Sequence, residues 1–141
     1  MKGLGADQPY WQGLEKGELH IQQCPQCETW HVPAVWRCGE CGNWDLQWQQ
    51  KAIAGVIYSW TRTWHNFGAP AEIELPYLSV VVEIDNAGGR RMMGVLDGDA
   101  QTPVAIGDRV SGSVYTVTVD GESVPALRWQ RCVGNGAGES L

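Results

Sequence analysis

Four cysteines constrain this chain more than any other feature. Cys24-Pro25-Gln26-Cys27 and Cys38-Gly39-Glu40-Cys41 read as C-x2-C-x10-C-x2-C. Two residues between cysteines let a tight turn aim both sulfurs at one point, and two such turns complete a tetrahedron. Gly42 after Cys41 suits the bend, because amides must face the thiolates there. Glu28 stands at the matching place of the first turn, which is the weaker half. The spacing predicts zinc held by Cys24, Cys27, Cys38 and Cys41. A redox dithiol accounts for one such pair but not for two at this separation. Four thiolates also close the coordination sphere, so the ion is expected to staple the fold and not to activate water. A module of roughly thirty residues cannot fold alone, and zinc binding contributes on the order of 10 kcal/mol to such modules.

Around that staple, 141 residues leave room for one ordinary domain or two small modules. Asp7 to Lys16 reads as a short helix: Asp7 can cap it, Pro9 fits the first turn, and Gly17 supplies a stop. Tyr10, Trp11 and Leu14 share its apolar face. Residues 1–18 therefore form an N-terminal helix segment and 19–50 the zinc ribbon. After Lys51 the text turns to β-branched and aromatic residues broken by turns. Five strands are expected: Ile53 to His65, Tyr77 to Asp85, Arg90 to Leu96, Arg109 to Val119, and Val124 to Arg131. Leu78, Val80, Val82 and Ile84 alternate on one face. Asn86 to Gly89 and Asp120-Gly121 read as turns that tolerate positive φ. Asp97 to Asp108 is a polar connection long enough for one helical turn. Five short strands interrupted after the third suit a small closed barrel of OB type over residues 51–133, with an open sandwich as the competing architecture. Residues 134–141 read as a small, polar, flexible tail. The fold class is thus mainly β, with a short N-terminal helix, a four-cysteine zinc ribbon and a five-stranded OB-fold barrel.

Charge and motifs narrow the function. Ten Lys+Arg against sixteen Asp+Glu give a formal charge of −6, which disfavours a general nucleic-acid binder. No stretch has the length and apolarity of a membrane helix, and Met1 to Trp11 lacks a secretory pattern, so the expected location is the cytoplasm. There the five cysteines read as ligands or free thiols. Cys132 lies outside the pattern and reads as a small buried filler near the last strand. The sequence has no G-x-S-x-G elbow, P-loop or H-E-x-x-H, and Gly134, Gly136 and Gly138 open no helix. His20, His31 and His65 fall in different segments; His31 is placed to bond a ribbon backbone group. No catalytic constellation is legible.

What remains is aromatic surface. Eight tryptophans exceed what one small core needs. At strand spacing, Tyr58, Trp60, Arg62 and Trp64 share one face of the first barrel strand, with Ile57, Ser59, Thr61 and Thr63 on the other. The smaller face suits the barrel interior, leaving the aromatic face outside. It must be covered by the ribbon, the helix, another subunit or a ligand. Trp30 and Trp36, between the cysteine pairs, extend the same surface, which has the composition of an interface hot spot.

The order of these phrases resembles a known family. It runs from Tyr10-Trp11 and Gly13-Leu14 through Gly17-Glu18-Leu19 to the cysteine pairs with Pro33 between them and Gly42 after. It continues through Gly55-Val56-Ile57-Tyr58-Ser59-Trp60-Thr61, Pro76-Tyr77, Val82-Glu83-Ile84 and Ile106-Gly107-Asp108-Arg109-Val110. The pattern is similar to the acyl-CoA-associated zinc-ribbon/OB-fold proteins, small partners of thiolase-like enzymes, and covers nearly the whole chain apart from the tail. The resemblance implies a hetero-oligomer in which this chain helps wall a CoA-thioester site. Partners in that family transfer acyl groups or cleave a steroid side-chain thioester by retro-aldol chemistry, and supply the nucleophile or base. A cation then holds CoA phosphates; Arg37 and the Arg90-Arg91 pair are the candidates. The competing reading is a module that binds single-stranded nucleic acid, with Tyr58, Trp60, Arg62 and Trp64 as its stacking platform.

Overall fold

The computed structural model describes residues 5–132; the expected tail, 134–141, lies outside them. Helix α1 (Gln8–Glu15) has Pro in its first turn. It ends where Gly17 takes φ 77°. There the Gly17 amide donates to the Leu14 carbonyl and the Glu18 amide to the Gly13 carbonyl, the paired bonds that close a helix C-terminus. Asp7 holds the N-cap position but makes no side-chain capping bond. Its carboxylate accepts instead from the Trp11 indole N–H at 3.0 Å. Gly13 and Leu14 are buried, and Tyr10 and Trp11 pack against the core.

The ribbon is a three-stranded antiparallel sheet of β1 (Leu19–Gln23), β2 (Trp30–His31) and β3 (Gln47–Lys51), in the order β2-β1-β3. Leu19 and Ile21 of β1 are buried in the common core. The buried Gln22 side chain accepts from the Val35 amide at 2.9 Å and donates to the Val35 carbonyl at 2.8 Å. It serves as a strand partner for the loop between the cysteine pairs, so both the oxygen and the nitrogen of a buried amide have a partner.

Five strands make a closed barrel: β4 (Ala54–Thr63), β5 (Tyr77–Ile84), β6 (Arg91–Leu96), β7 (Arg109–Val119) and β8 (Glu122–Arg131), in the order β4-β5-β6-β8-β7. Leu78, Val80, Val82 and Ile84 alternate inward as the period-two pattern requires. Ile57, Val110, Leu127 and Trp129 complete the interior. The parallel β6–β8 seam pairs only Val95 with Arg128 and Leu96 with Trp129, and α1 contacts β8 beside it. Asp120 and Gly121 take φ 50° and 79° at the β7–β8 turn, the left-handed pair that matches a hairpin's twist.

Three expectations need correction. The 97–108 connection holds no helix. Asp99 accepts from the Gln101 amide and Asp108 from the Ala105 amide, and such short-range bonds favour turns over helix. Cys132 is exposed and not a buried filler, because β8 ends at Arg131 and the Cys132 amide makes a closing bond to the Arg109 carbonyl. The third correction concerns the face of β4. Ile57 pairs with Val82 and Ser59 pairs with Val81, so Tyr58 is an extra residue in a β-bulge. A bulge of one residue reverses which side chains face inward beyond it. Trp60 and Arg62 therefore pair with the inward Val80 and Leu78. Trp60 packs against the core, and Ser59 and Thr61 are exposed. Tyr58, Trp60, Arg62 and Trp64 do not form one outer face.

Candidate metal centre and partner surface

Two hairpin turns of the same design carry the cysteines. In the first, the Cys24 amide donates to the Thr29 carbonyl and the Glu28 amide to the Cys24 carbonyl. In the second, the Cys38 amide donates to the Asn43 carbonyl and the Gly42 amide to the Cys38 carbonyl. Glu28 and Gly42 occupy matching places with φ 68° and 84°. The four sulfurs lie within 4.8 Å of one another. Cys24 and Cys41 are 3.5 Å apart, Cys27 and Cys38 3.6 Å. A zinc ion with bonds of about 2.3 Å requires sulfur–sulfur edges of about 3.8 Å in a tetrahedron, so the cradle has the size for that ion.

The electrostatics agree. Burial opposes ionisation of Cys24, yet the Cys27 and Gln26 amides with the Asn43 side chain bring it down to about 6. The Asn43 amide favours the Cys41 thiolate, but burial and the three neighbouring thiols outweigh it and push Cys41 up to about 12. Four sulfurs this close do not all ionise unaided, and a dication removes the conflict. Thr29 Oγ1 lies 3.1 Å from Cys27 Sγ, and Asn43 Nδ2 donates to Cys24 Sγ at 3.6 Å. These groups orient the ligands in the manner of an outer coordination shell. The zinc is structural: Cys24 and Cys38 are buried, and four thiolates fill the sphere.

The other candidates fall in separate places. Trp30 is wedged between the modules: its carbonyl accepts from Arg90 Nε at 2.7 Å, and the Lys51 ammonium sits 4.1 Å over its ring. Arg37 Nε donates to the Gly42 carbonyl at 3.0 Å, and its guanidinium lies 5.7 Å from the exposed Trp44 ring. Trp36 is exposed beside Gly5. On the barrel, Arg91 stacks 3.9 Å from the Tyr58 ring. Arg62 Nε donates to the Ala100 carbonyl at 2.7 Å, while Trp64 is exposed beyond the end of β4. The sequence pattern put Tyr58, Trp60, Arg62 and Trp64 on one surface extended by Trp30 and Trp36; the structure distributes these six over the ribbon, the module junction and the barrel. His31 Nε2 is buried with no partner, so the anticipated backbone bond is not made.

Sequence reasoning passed over two features. One is a largely apolar groove of about 480 Å³ where Tyr10 and Trp11 of α1, Met93 of β6, Val124 of β8 and Ile73 of the 64–76 loop converge. The other is Phe67, the chain's one phenylalanine, which that loop leaves exposed. A large apolar residue inside a turn-rich segment was the available signal.

Family comparisons follow this two-module division. Residues 11–46 match the model described as the ChsH2 rubredoxin-like zinc ribbon domain, and residues 48–114 match the ChsH2 C-terminal OB-fold domain. The chain belongs to the ChsH2-type zinc-ribbon and OB-fold family. Among solved structures, a chain of "Ltp2-ChsH2(DUF35) aldolase" aligns with a TM-score of 0.77 and 24% identity, over 93% of this chain and 98% of that one. A DUF35 family protein of unknown function from Sulfolobus solfataricus aligns with a TM-score of 0.60 and 17% identity, over 92% and 87%. No curated protein matches the chain at a significant level. In this ChsH2-type chain, then, ribbon and barrel are joined in the order the family models describe. No helix among the described residues is long and apolar enough to cross a membrane.

Proposed function

We propose that this ChsH2-type chain is a non-catalytic accessory subunit. It docks on a thiolase-like partner and helps form that partner's acyl-CoA site, supporting acyl transfer or retro-aldol cleavage of a CoA thioester, with a steroid side chain as one candidate substrate. The observation that carries this reading is the end-to-end likeness to the ChsH2(DUF35) chain, which covers 98% of that chain. That chain is named together with Ltp2 as an aldolase. A metal site closed by four thiolates fits a supporting role, because it leaves no position for a reacting group. The groove of about 480 Å³ falls in the size range of small-molecule sites and offers apolar walls to an acyl chain. Arg37, Arg90 and Arg91 remain the cations proposed for CoA phosphates, with Trp36 and Tyr58 beside them. The rival single-strand reading needs a continuous row of outward aromatics next to cations. The bulge at Tyr58 turns Trp60 and Arg62 away from such a row.

The test is purification of the chain from its native host, mass-spectrometric identification of its companion, and reconstitution of the pair. Thioester cleavage or acyl exchange is then measured for the companion alone and with this chain added. A stoichiometric thiolase-like companion whose turnover rises with this chain is the expected result. A monomer with no such companion, or a companion equally active alone, would overturn the proposal.

A further inference from the structure

The β4–β5 connection, residues 64–76, presents apolar side chains to solvent while its base is firmly held. Phe67 is 82% exposed, Trp64 62% and Leu75 42%. Asn66 Oδ1 accepts from the Gly68 amide at 2.7 Å and the Ala69 amide at 3.0 Å. This closes a turn with Phe67 inside it, and the His65 ring stands edge-on 4.9 Å from the Phe67 ring. Further along, the Ile73 amide donates to the Pro70 carbonyl, and Thr118 Oγ1 donates to Glu72 Oε2 at 2.8 Å. Ala69, Pro70 and Ile73 line the apolar groove on the barrel. The loop thus turns some apolar groups toward the barrel and leaves Trp64, Phe67 and Leu75 exposed.

Exposed aromatic groups on a braced loop have the physical character of an interface anchor. They lose little conformational freedom on binding and recover the hydrophobic free energy that exposure withholds. Loops of this length in a compact domain are commonly functional. The charge pattern narrows the partner further. Residues 64–76 include no lysine or arginine and carry two acids, Glu72 and Glu74. Together with Asp99 these acids line a polar cleft of about 370 Å³ beside the loop, where the one cation of the lining, Arg128, is paired with Asp97. A receiving surface complementary to this is an apolar pocket with a basic rim.

We infer that the 64–76 loop is the chain's docking element, seating Phe67 and Trp64 in a basic-rimmed apolar pocket on the thiolase-like subunit. The inference rests on the accessory-subunit reading above and adds the residues that make contact and the chemistry of the surface that receives them. The groove continues from the loop's inner side, so docking there would bring the groove against the partner.

The experiment titrates the zinc-loaded chain onto the large subunit of the native complex, once mass spectrometry has identified that subunit as thiolase-like. Wild type is compared with Phe67→Ser, Trp64→Ser and Glu74→Lys, each checked for zinc content and melting temperature. Phe67→Ser is expected to weaken binding about thirty-fold or more, the loss typical of a central aromatic anchor. Glu74→Lys is expected to weaken binding at low salt, with the difference shrinking at high salt. Undiminished binding by folded Phe67→Ser and Trp64→Ser, while wild type binds, would overturn this inference and leave the accessory-subunit reading standing. Failure of wild type to bind any thiolase-like subunit would overturn both. A self-dimer of wild type that Phe67→Ser dissolves would assign the loop to a second copy of the chain and overturn the inference.

Discussion

Arg90 Nε donates to the Trp30 carbonyl at 2.7 Å, and this bond ties the barrel to the ribbon. Arg90 also closes the β5–β6 turn, where its amide donates to the Ala87 carbonyl and its carbonyl accepts from the Ile84 amide. The position at Gly88 keeps the joint tight, since a Cβ there would come 2.7 Å from the Trp30 ring. A bond from a charged donor to a partly buried carbonyl contributes more than a neutral one. Arg90→Ala is therefore expected to destabilise the chain by about 1–2 kcal/mol. Urea unfolding of wild type and variant measures this, with zinc stoichiometry unchanged. A midpoint equal to wild type would show that the modules are held together without this bond.

The bulge at Tyr58 makes a second, opposite pair of expectations for neighbouring aromatics. Trp60 packs on the core while Tyr58 is exposed under Arg91. Trp60→Ala should cost about 2–3 kcal/mol, as expected for a large side chain that is partly buried. Tyr58→Ala should cost under about 1 kcal/mol, since an exposed ring loses mainly its cation–π contact. Thermal melts of the two variants decide between this arrangement and a single outward aromatic face, which predicts similar small losses for both.

Much of the architecture was legible because it rests on local rules. The cysteine spacing defines the cradle, Leu78 to Ile84 alternates without a break, and Asp120-Gly121 demands its hairpin turn. Reading failed where one residue changes register. Alternation from Ile57 onward is correct in the sequence, but the extra residue at Tyr58 shifts the phase of everything after it, and no local signal marks a bulge that lacks glycine. The contacts of the candidate cations were illegible for a related reason. Arg37, Arg62 and Arg90 each donate Nε to a backbone carbonyl, of Gly42, Ala100 and Trp30, which only the folded chain brings within reach.

Acid provides a third test. Asp85 accepts both arms of Arg109, at 3.0 and 2.7 Å, joining the end of β5 to the start of β7. The hydrogen bonds and charge of Arg109 hold the Asp85 carboxyl below its ordinary range. A carboxylate depressed on folding contributes stability above its unfolded value, about 3.9. That contribution is lost as pH falls through the lower folded value. Both side chains are partly exposed, so Asp85→Asn should cost less than about 1 kcal/mol at neutral pH. The gap between variant and wild type should close progressively as the solution is acidified below the unfolded value. A gap that is unchanged or wider in acid, measured by denaturant unfolding across that range, would contradict the assignment.

The two zinc turns differ at one residue, and the difference is testable. Glu28 takes φ 68° where Gly42 takes φ 84° in the matching turn. A left-handed conformation costs a residue with a Cβ roughly 1 kcal/mol. Glycine avoids that cost but gives up part of the gain through the greater entropy of its unfolded chain. Glu28→Gly should therefore stabilise the ribbon by about 0.5 kcal/mol and slow zinc loss to a chelator. The reverse change, Gly42→Glu, should be worse than neutral for two reasons. It imposes the same strained conformation, and its Cβ would lie 2.7 Å from the Arg37 guanidinium, displacing the arginine that donates to the Gly42 carbonyl. Zinc release followed with a colorimetric chelator orders the three proteins: Gly42→Glu fastest, wild type next, Glu28→Gly slowest. If Glu28→Gly lost zinc faster than wild type, the Glu28 side chain would have to hold the turn by contacts that outweigh its backbone strain.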